Sequence, residues 1–271
     1  MKIKPLKPRH LFAFAAYVAT MLLPASAPST WAEDPVEEPL IIFAAASLTD
    51  VLATHAEEWA ARTESPLPRL SFGPSGTMAR QIASGAPADL FISANQSWIS
   101  FLQENNGLAG PPVAVAGNSL VLVVPGRHTI PSGAPLDAAL LLSVVGDGRL
   151  AIADPANAPA GIYAKDLMMH LGVWNTLNSQ LAYGGSARQT LLLAERGNLP
   201  AIVYKTDARM SRLVTSAAVA PDVAITYQAV LVKAGKEDAS SFMNYLASDA
   251  ASPGWTGFGF SVADNHPNVP K

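Results

Sequence analysis

Four short turns in this chain combine small residues and hydroxyls in a way suited to holding an anion: Ser47, Ser75, Pro159-Ala160-Gly161 and Ser186-Ala187. Each lies between an apolar run of strand length and the start of a helical pattern. The first turn of a helix presents backbone N–H groups without intrahelical acceptors and a partial positive charge, so anions settle there. A serine hydroxyl adds a donor that carries no charge. Taken singly, each turn has an ordinary alternative. Ser47-Leu48-Thr49-Asp50 reads as a capping box with Asp in place of Glu, Gly73-Pro74-Ser75-Gly76-Thr77 is built from standard turn residues, and Ser186 is equally ambiguous. Together the four point to an anionic or phosphate-containing ligand.

Catalytic readings are weaker. In Gly73-Pro74-Ser75-Gly76-Thr77 the last glycine of a nucleophile elbow is replaced by Thr77. A phosphate-binding P-loop is missing, because no G-K-[ST] occurs. The five histidines (His10, His55, His128, His170, His266) are scattered without metal-ligand spacing. His55 falls inside the helix that follows Ser47, and His170 ends another, where a cation suits the dipole. Asp154 reads as the start of an Asp154-Pro155 turn. No catalytic residue, metal ligand or cofactor is expected. An exported hydrolase using Ser47 or Ser75 is the alternative from another class, and it lacks a visible base.

The elements that position these turns alternate between strand-length and helix-length patterns, as in an open, largely parallel α/β sheet. Strands are expected at 40–46, 69–72, 90–94, 120–124, 150–153, 180–183, 201–204 and 223–232. Leu48, Val51, Leu52 and Trp59 keep helical spacing after Ser47, and Met78 and Ile82 do so after Ser75. Ile162, Leu167 and Leu171 follow the third turn and stop at Gly172; Leu191, Leu192 and Ala194 follow Ser186 and stop at Gly197. A Gly/Pro/Ser-rich stretch over 107–118 suggests a boundary between two lobes. The tail over 264–271 reads as frayed.

The N-terminus has its own character. Lys2, Lys4, Lys7 and Arg9 precede an apolar run over 11–23 and then small residues, the pattern of a secretory signal. The run is short for a membrane span. Ala25-Ser26-Ala27 is followed by Pro28, which disfavours cleavage there, so residues 1–32 are expected to leave as the signal peptide. The chain has no cysteine, which excludes disulfides, thiolate metal sites and a lipid-modified cysteine. A soluble periplasmic protein is expected. Without its leader the chain keeps 14 basic and 21 acidic residues, a net of −7. Such a chain is a poor nucleic-acid partner, and any anion it holds must be captured by local donors rather than by long-range attraction.

Beyond composition, several runs resemble the periplasmic molybdate-binding proteins of ABC transporters. They are Phe43-Ala44-Ala45-Ala46-Ser47-Leu48-Thr49, the stretch 77–93, Gly117-Asn118-Ser119-Leu120, Gly148-Arg149-Leu150-Ala151, Asp154-Pro155 and Pro159 through Lys165. Ile202-Val203-Tyr204, Asp207-Ala208 and Gly259-Phe260 extend the likeness to most of the chain. The resemblance implies a two-lobed type II periplasmic binding fold, with open, mostly parallel sheets flanked by helices and the ligand cleft between lobes. The first lobe would span 33–117 and the second 118–228, with 229–271 returning to the first. It also implies an oxyanion shell made of the Ser47 and Ser75 hydroxyls and amides, the Ala160 and Ala187 amides and the Tyr204 hydroxyl. The turns alone point to four of these five; Tyr204 comes only from the resemblance.

A monomer that binds molybdate or tungstate and delivers it to a membrane permease would follow, with sulfate as the alternative anion. Two positions depart from the family pattern. Pro74-Ser75-Gly76 stands where many members carry a serine-rich turn, and Ala187 where many carry a larger aliphatic residue.

Overall fold

A computed structural model describes residues 38–126, 134–220, 223–232, 236 and 238–263. The expected leader over 1–32 and tail over 264–271 lie outside them.

Along the first part of the chain run β1 (Ile41–Ala45), α1 (Thr49–Thr63), β2 (Arg69–Gly73), α2 (Ser75–Ala83), β3 (Leu90–Ser93), α3 (Gln96–Glu104) and β4 (Val113–Asn118). Next come β5 (Leu120–Pro125), β6 (Ala134–Pro135), α4 (Ala138–Val145), β7 (Leu150–Ala153), α5 (Pro159–His170) and α6 (Trp174–Leu177). The remainder holds β8 (Leu181–Gly184), α7 (Ala187–Gly197), β9 (Ala201–Tyr204), α8 (Lys205–Met210), β10 (Val214–Val219), β11 (Ile225–Leu231), α9 (Asp238–Leu246), α10 (Ser252–Gly257) and β12 (Ser261–Val262).

The strands form two six-stranded sheets, ordered β12-β4-β11-β3-β1-β2 and β6-β10-β5-β9-β7-β8. Each contains a parallel trio. In the first sheet β1 lies between β2 and β3; in the second β7 lies between β8 and β9. The pairings of β11 with β3 and β4, and of β5 with β9 and β10, are antiparallel. The chain passes between sheets at Ser119, where β4 gives way to β5, and again between β10 and β11. Gln228, where the sequence places the return, lies inside β11 and pairs with Ser93.

Burial explains the trios. Every residue of β3, β7 and β9 is buried, as in strands covered by helices on both faces. Helix α1 turns Leu48, Leu52 and Trp59 inward from its start and one face; burying each such side chain is worth about 1.5–3 kcal/mol. In α5, Pro159 occupies the first turn, which its fixed φ suits. Gly161 follows because a Cβ there would sit 2.1 Å from the Ala153 carbonyl oxygen, so only glycine lets α5 pack this closely on β7.

Some elements differ from expectation. The stretch 107–118 contains strand β4, whose Gly117 accepts Ser261 of β12 as its neighbour. The Gly and Pro content of that stretch reads as a lobe boundary and masks the strand. Strand β10 and helices α3, α4 and α9 lie outside the elements expected from the sequence pattern. Gly172 takes φ +71 after α5, as a helix stop should. Helix α7 instead stops at Asn198, in the left-handed region at φ 53, with Gly197 still helical. Leu192 on that helix is exposed.

Candidate functional site

All six junctions that follow the parallel strands converge on one small pocket. The first sheet contributes Ala45, Ala46 and Ser47 after β1, Pro74 and Ser75 after β2, and Ala94 after β3. The second contributes Ala158, Pro159 and Ala160 after β7, Ser186 and Ala187 after β8, and Tyr204 at the end of β9. Ligands of open α/β sheets bind at such carboxyl ends. Ser47, Ser75, Ala160, Ala187 and Tyr204 therefore meet in one place. Its cavity volume is about 10 Å³, roughly one water-sized sphere.

Ser47 does not cap α1, contrary to the capping-box pattern. The chain makes a 3-10 turn over Ala46–Leu48, and α1 starts at Thr49 without a side-chain cap. Thr49 Oγ1 donates to the Ala46 carbonyl at 2.7 Å, which closes that turn. Freed from capping, Ser47 Oγ lies 2.8 Å from the Tyr227 hydroxyl. Asn118 Nδ2 donates to the same Tyr227 oxygen at 3.2 Å and to Thr206 Oγ1 at 2.9 Å, while Asn118 Oδ1 accepts from the Ser119 N–H. Tyr227 is fully buried, and desolvation holds its pKa above the usual tyrosine value, so it keeps its proton. Either hydroxyl can donate in the Ser47–Tyr227 bond; when Tyr227 donates, the Ser47 hydrogen is free for the pocket.

Ser75 is arranged the same way. Its Oγ accepts the Ala94 N–H at 3.3 Å, so its own hydrogen remains to donate. Tyr204 is 1% exposed, and its hydroxyl has no hydrogen-bond partner among the described residues. Burial, first of all, raises its pKa well above the ordinary value, so it too keeps its proton. Ser186 differs: its side chain accepts from Gln189 N at 3.2 Å and caps α7. That cap aligns the helix whose first N–H belongs to Ala187. Ala160 sits in the first turn of α5, where N–H groups lack intrahelical acceptors. Asp154 fixes the approach to α5, accepting Ala156 N at 2.9 Å on one oxygen and Asn157 Nδ2 at 2.7 Å on the other.

The pocket is thus a shell of donors with no charged side chain among its lining residues. Charges stand just outside it. Arg188, next to Ala187, pairs with Asp50 of α1 and, at 2.9 Å, with Asp207 of α8. Asp207 is fully buried; desolvation raises its pKa to about 7, against the lowering effect of Arg188. Among the described residues no group of three or more His, Cys, Asp or Glu could hold a metal ion, and no helix is long and apolar enough to cross a membrane.

Tyr227 and Asn118 were missed as functional residues by sequence reasoning. A tyrosine inside an alternating strand reads as core, and only its pairing with Ser47, 180 residues away, reveals the role.

Three comparisons bear on this geometry. The chain is 36% identical over 228 residues to the molybdate-binding protein ModA of Haemophilus influenzae, covering 82% of this chain and 89% of that protein. It is also 36% identical over 235 residues to the molybdate-binding protein ModA of Escherichia coli, covering 83% and 90%. Among solved structures it resembles the periplasmic molybdate-binding protein of Azotobacter vinelandii, with a TM-score of 0.73 and 22% identity over 83% of this chain and 99% of that one. The sulfate-binding protein SubI of Mycobacterium tuberculosis gives a TM-score of 0.72 at 18% identity over 84% and 88%, a likeness of fold alone. Residues 40–261 match the model of the bacterial extracellular solute-binding protein family, and the chain belongs to that family.

Proposed function

We propose that this chain captures molybdate, and with it the near-isosteric tungstate, and delivers it to the membrane permease of an ABC transporter. It is a binding protein rather than an enzyme. The observation that supports the reading is the gathering of three hydroxyls, on Ser47, Ser75 and Tyr204, at a pocket without charged side chains, with those of Ser75 and Tyr204 free to donate. With the Ala160 and Ala187 amides they make a neutral shell suited to a fully ionised tetrahedral dianion, each donor strengthened by the exclusion of water. A ligand carrying a proton, such as hydrogen phosphate, would leave that proton unpaired at a cost of about 1–3 kcal/mol.

The two sheets act as two lobes in this reading, joined where Asn118-Ser119 passes from β4 to β5. Because the donors come from both, the ligand favours the closed arrangement. The chain works as a monomer in the periplasm after loss of residues 1–32, needs no cofactor and binds no nucleic acid.

Sulfate is the second reading, favoured by the equal likeness of fold to the sulfate-binding protein SubI. Hydrogen bonding alone accepts both dianions, so pocket size must separate them. Calorimetric titration with molybdate, tungstate, sulfate and phosphate decides: tight molybdate and tungstate binding with weak sulfate binding is expected, and tight sulfate binding would overturn the assignment.

A further inference from the structure

Among the described residues several direct bonds cross between the lobes around the pocket without a ligand, one of them from the Tyr163 hydroxyl to the Ala94 carbonyl at 3.1 Å. On one side the Gly76 N–H donates to the Asn157 carbonyl at 2.9 Å, and Arg80, stacked over Trp98 at 5.1 Å, also reaches the Asn157 side chain. On the other side stands Arg188. Its guanidinium pairs with Asp50 of the first lobe through one nitrogen and with Asp207 of the second through another.

The placement of Arg188 is what gives it a role. It follows Ala187, the residue that starts α7. Asp207 lies on α8, which begins directly after Tyr204. Asp50 lies in the first turn of α1, three residues after Ser47. One guanidinium therefore ties α7, which starts at Ala187, to the helices that follow Tyr204 and Ser47. Asp207 is wholly buried, which anchors Arg188 to its own lobe, whereas Asp50 is 38% exposed and is the partner that separates on opening. Arginine's planar fork allows both pairings at once; a lysine ammonium offers a point charge without the fork.

We propose that Arg188 is a positioning residue that latches the lobes shut through Asp50, so that the closed state is held by ligand-independent bonds and anion release is limited by breaking them. This rests on the two-lobed reading above. The test uses the absence of native cysteine in the chain. Spin labels on Glu57→Cys of α1 and Leu192→Cys of α7, both on exposed positions, report the distance between lobes in the ligand-free protein. Arg188→Gln and Asp50→Asn are expected to shift the distances toward a longer, open population. Stopped-flow measurement of molybdate dissociation should show release accelerated roughly three- to tenfold, in the range of a partly exposed to a buried charge pair. Arg188→Lys should restore part of both effects, which a merely packing role would not.

Unchanged distances and release rates in Asp50→Asn, with or without a change in melting temperature, overturn the latch. Should Arg188→Gln fail to fold, Asp50→Asn carries the test alone, since Asp50 is half-exposed. Failure of the wild type to bind molybdate would refute the ligand assignment instead, and the ligand-free distances would still decide the latch.

Discussion

The Tyr227 hydroxyl lies 2.8 Å from Ser47 Oγ and accepts from Asn118 Nδ2 at 3.2 Å, so the tyrosine holds the serine at the rim of the pocket. The bond gives a simple expectation. Tyr227→Phe keeps the ring packed against Phe260, 5.5 Å away, and removes only the oxygen. Ser47 is then left buried without its partner and without a fixed proton. Molybdate affinity should fall roughly two- to tenfold, the worth of one neutral hydrogen bond that holds a donor in place. Calorimetry measures it, and an unchanged affinity would remove Tyr227 from the site.

The two other hydroxyls should weigh at least as much. Ser75→Ala and Tyr204→Phe each delete a donor aimed at a full charge, for which a loss of about 1.5–3 kcal/mol, or roughly ten- to a hundredfold in affinity, is expected. The Tyr204 variant should not lose stability, because its hydroxyl makes no bond within the described protein. Paired calorimetry and thermal melts check both halves of the claim.

Gly76→Ala should block closure rather than binding chemistry. A Cβ at this position would lie 2.4 Å from the Trp98 ring and 2.7 Å from the Asn157 carbonyl oxygen. Parting the lobes relieves the contact with Asn157, whereas Trp98 of α3 shares the first lobe with Gly76 and its ring must turn aside to admit the methyl. Small-angle scattering should then show no compaction with saturating molybdate, and affinity should drop on the order of a hundredfold or more, since the donors of one lobe act alone. Compaction equal to that of the wild type would refute the steric account.

Two buried groups should oppose each other in the acid range. Desolvation lowers the His55 pKa from 6.5 to about 4, partly offset by Glu58, so the folded chain holds the ring neutral while the unfolded chain protonates it. Its contribution is present above 6.5 and is lost as pH falls toward 4, about 3 kcal/mol in all. Asp207 runs the other way. Its pKa rises from 3.8 to about 7, so the folded state binds its proton more tightly and stability from this group declines as pH rises through that window. Urea denaturation from pH 4 to 8 should show a steeper rise in stability with pH for Asp207→Asn than for wild type. His55→Gln should show a flatter or falling profile.

How much of this was legible in the sequence depends on how locally each feature is encoded. Ser75, Ala160 and Ala187 were readable because a strand, a small-residue turn and a helix follow one another within a few residues. Ser47 is readable as a polar turn with a cap as its ordinary alternative; its bond to Tyr227 is not, since the capping-box spacing is local and that partner is distant. Strand β4 was hidden by Gly117, and β10 by its mixture of Thr, Ser and Ala. The Arg188–Asp50 pair spans 138 residues and had no sequence signal at all. Tyr204 needed the family resemblance, because a tyrosine ending a buried strand is ordinarily core.

Asn118 sits at the end of β4, in the strand that crosses from one lobe to the other, with one amide hydrogen on Thr206 of the second lobe and one on Tyr227 of the first. Any swing of the lobes about this point pulls one of those hydrogens from its acceptor. In the proposed two-lobed reading, loss of the Asn118–Tyr227 bond would loosen the tyrosine that holds Ser47. Gate and grip would then share one amide, and the motion that uncovers the anion would also release a neighbour of its donor.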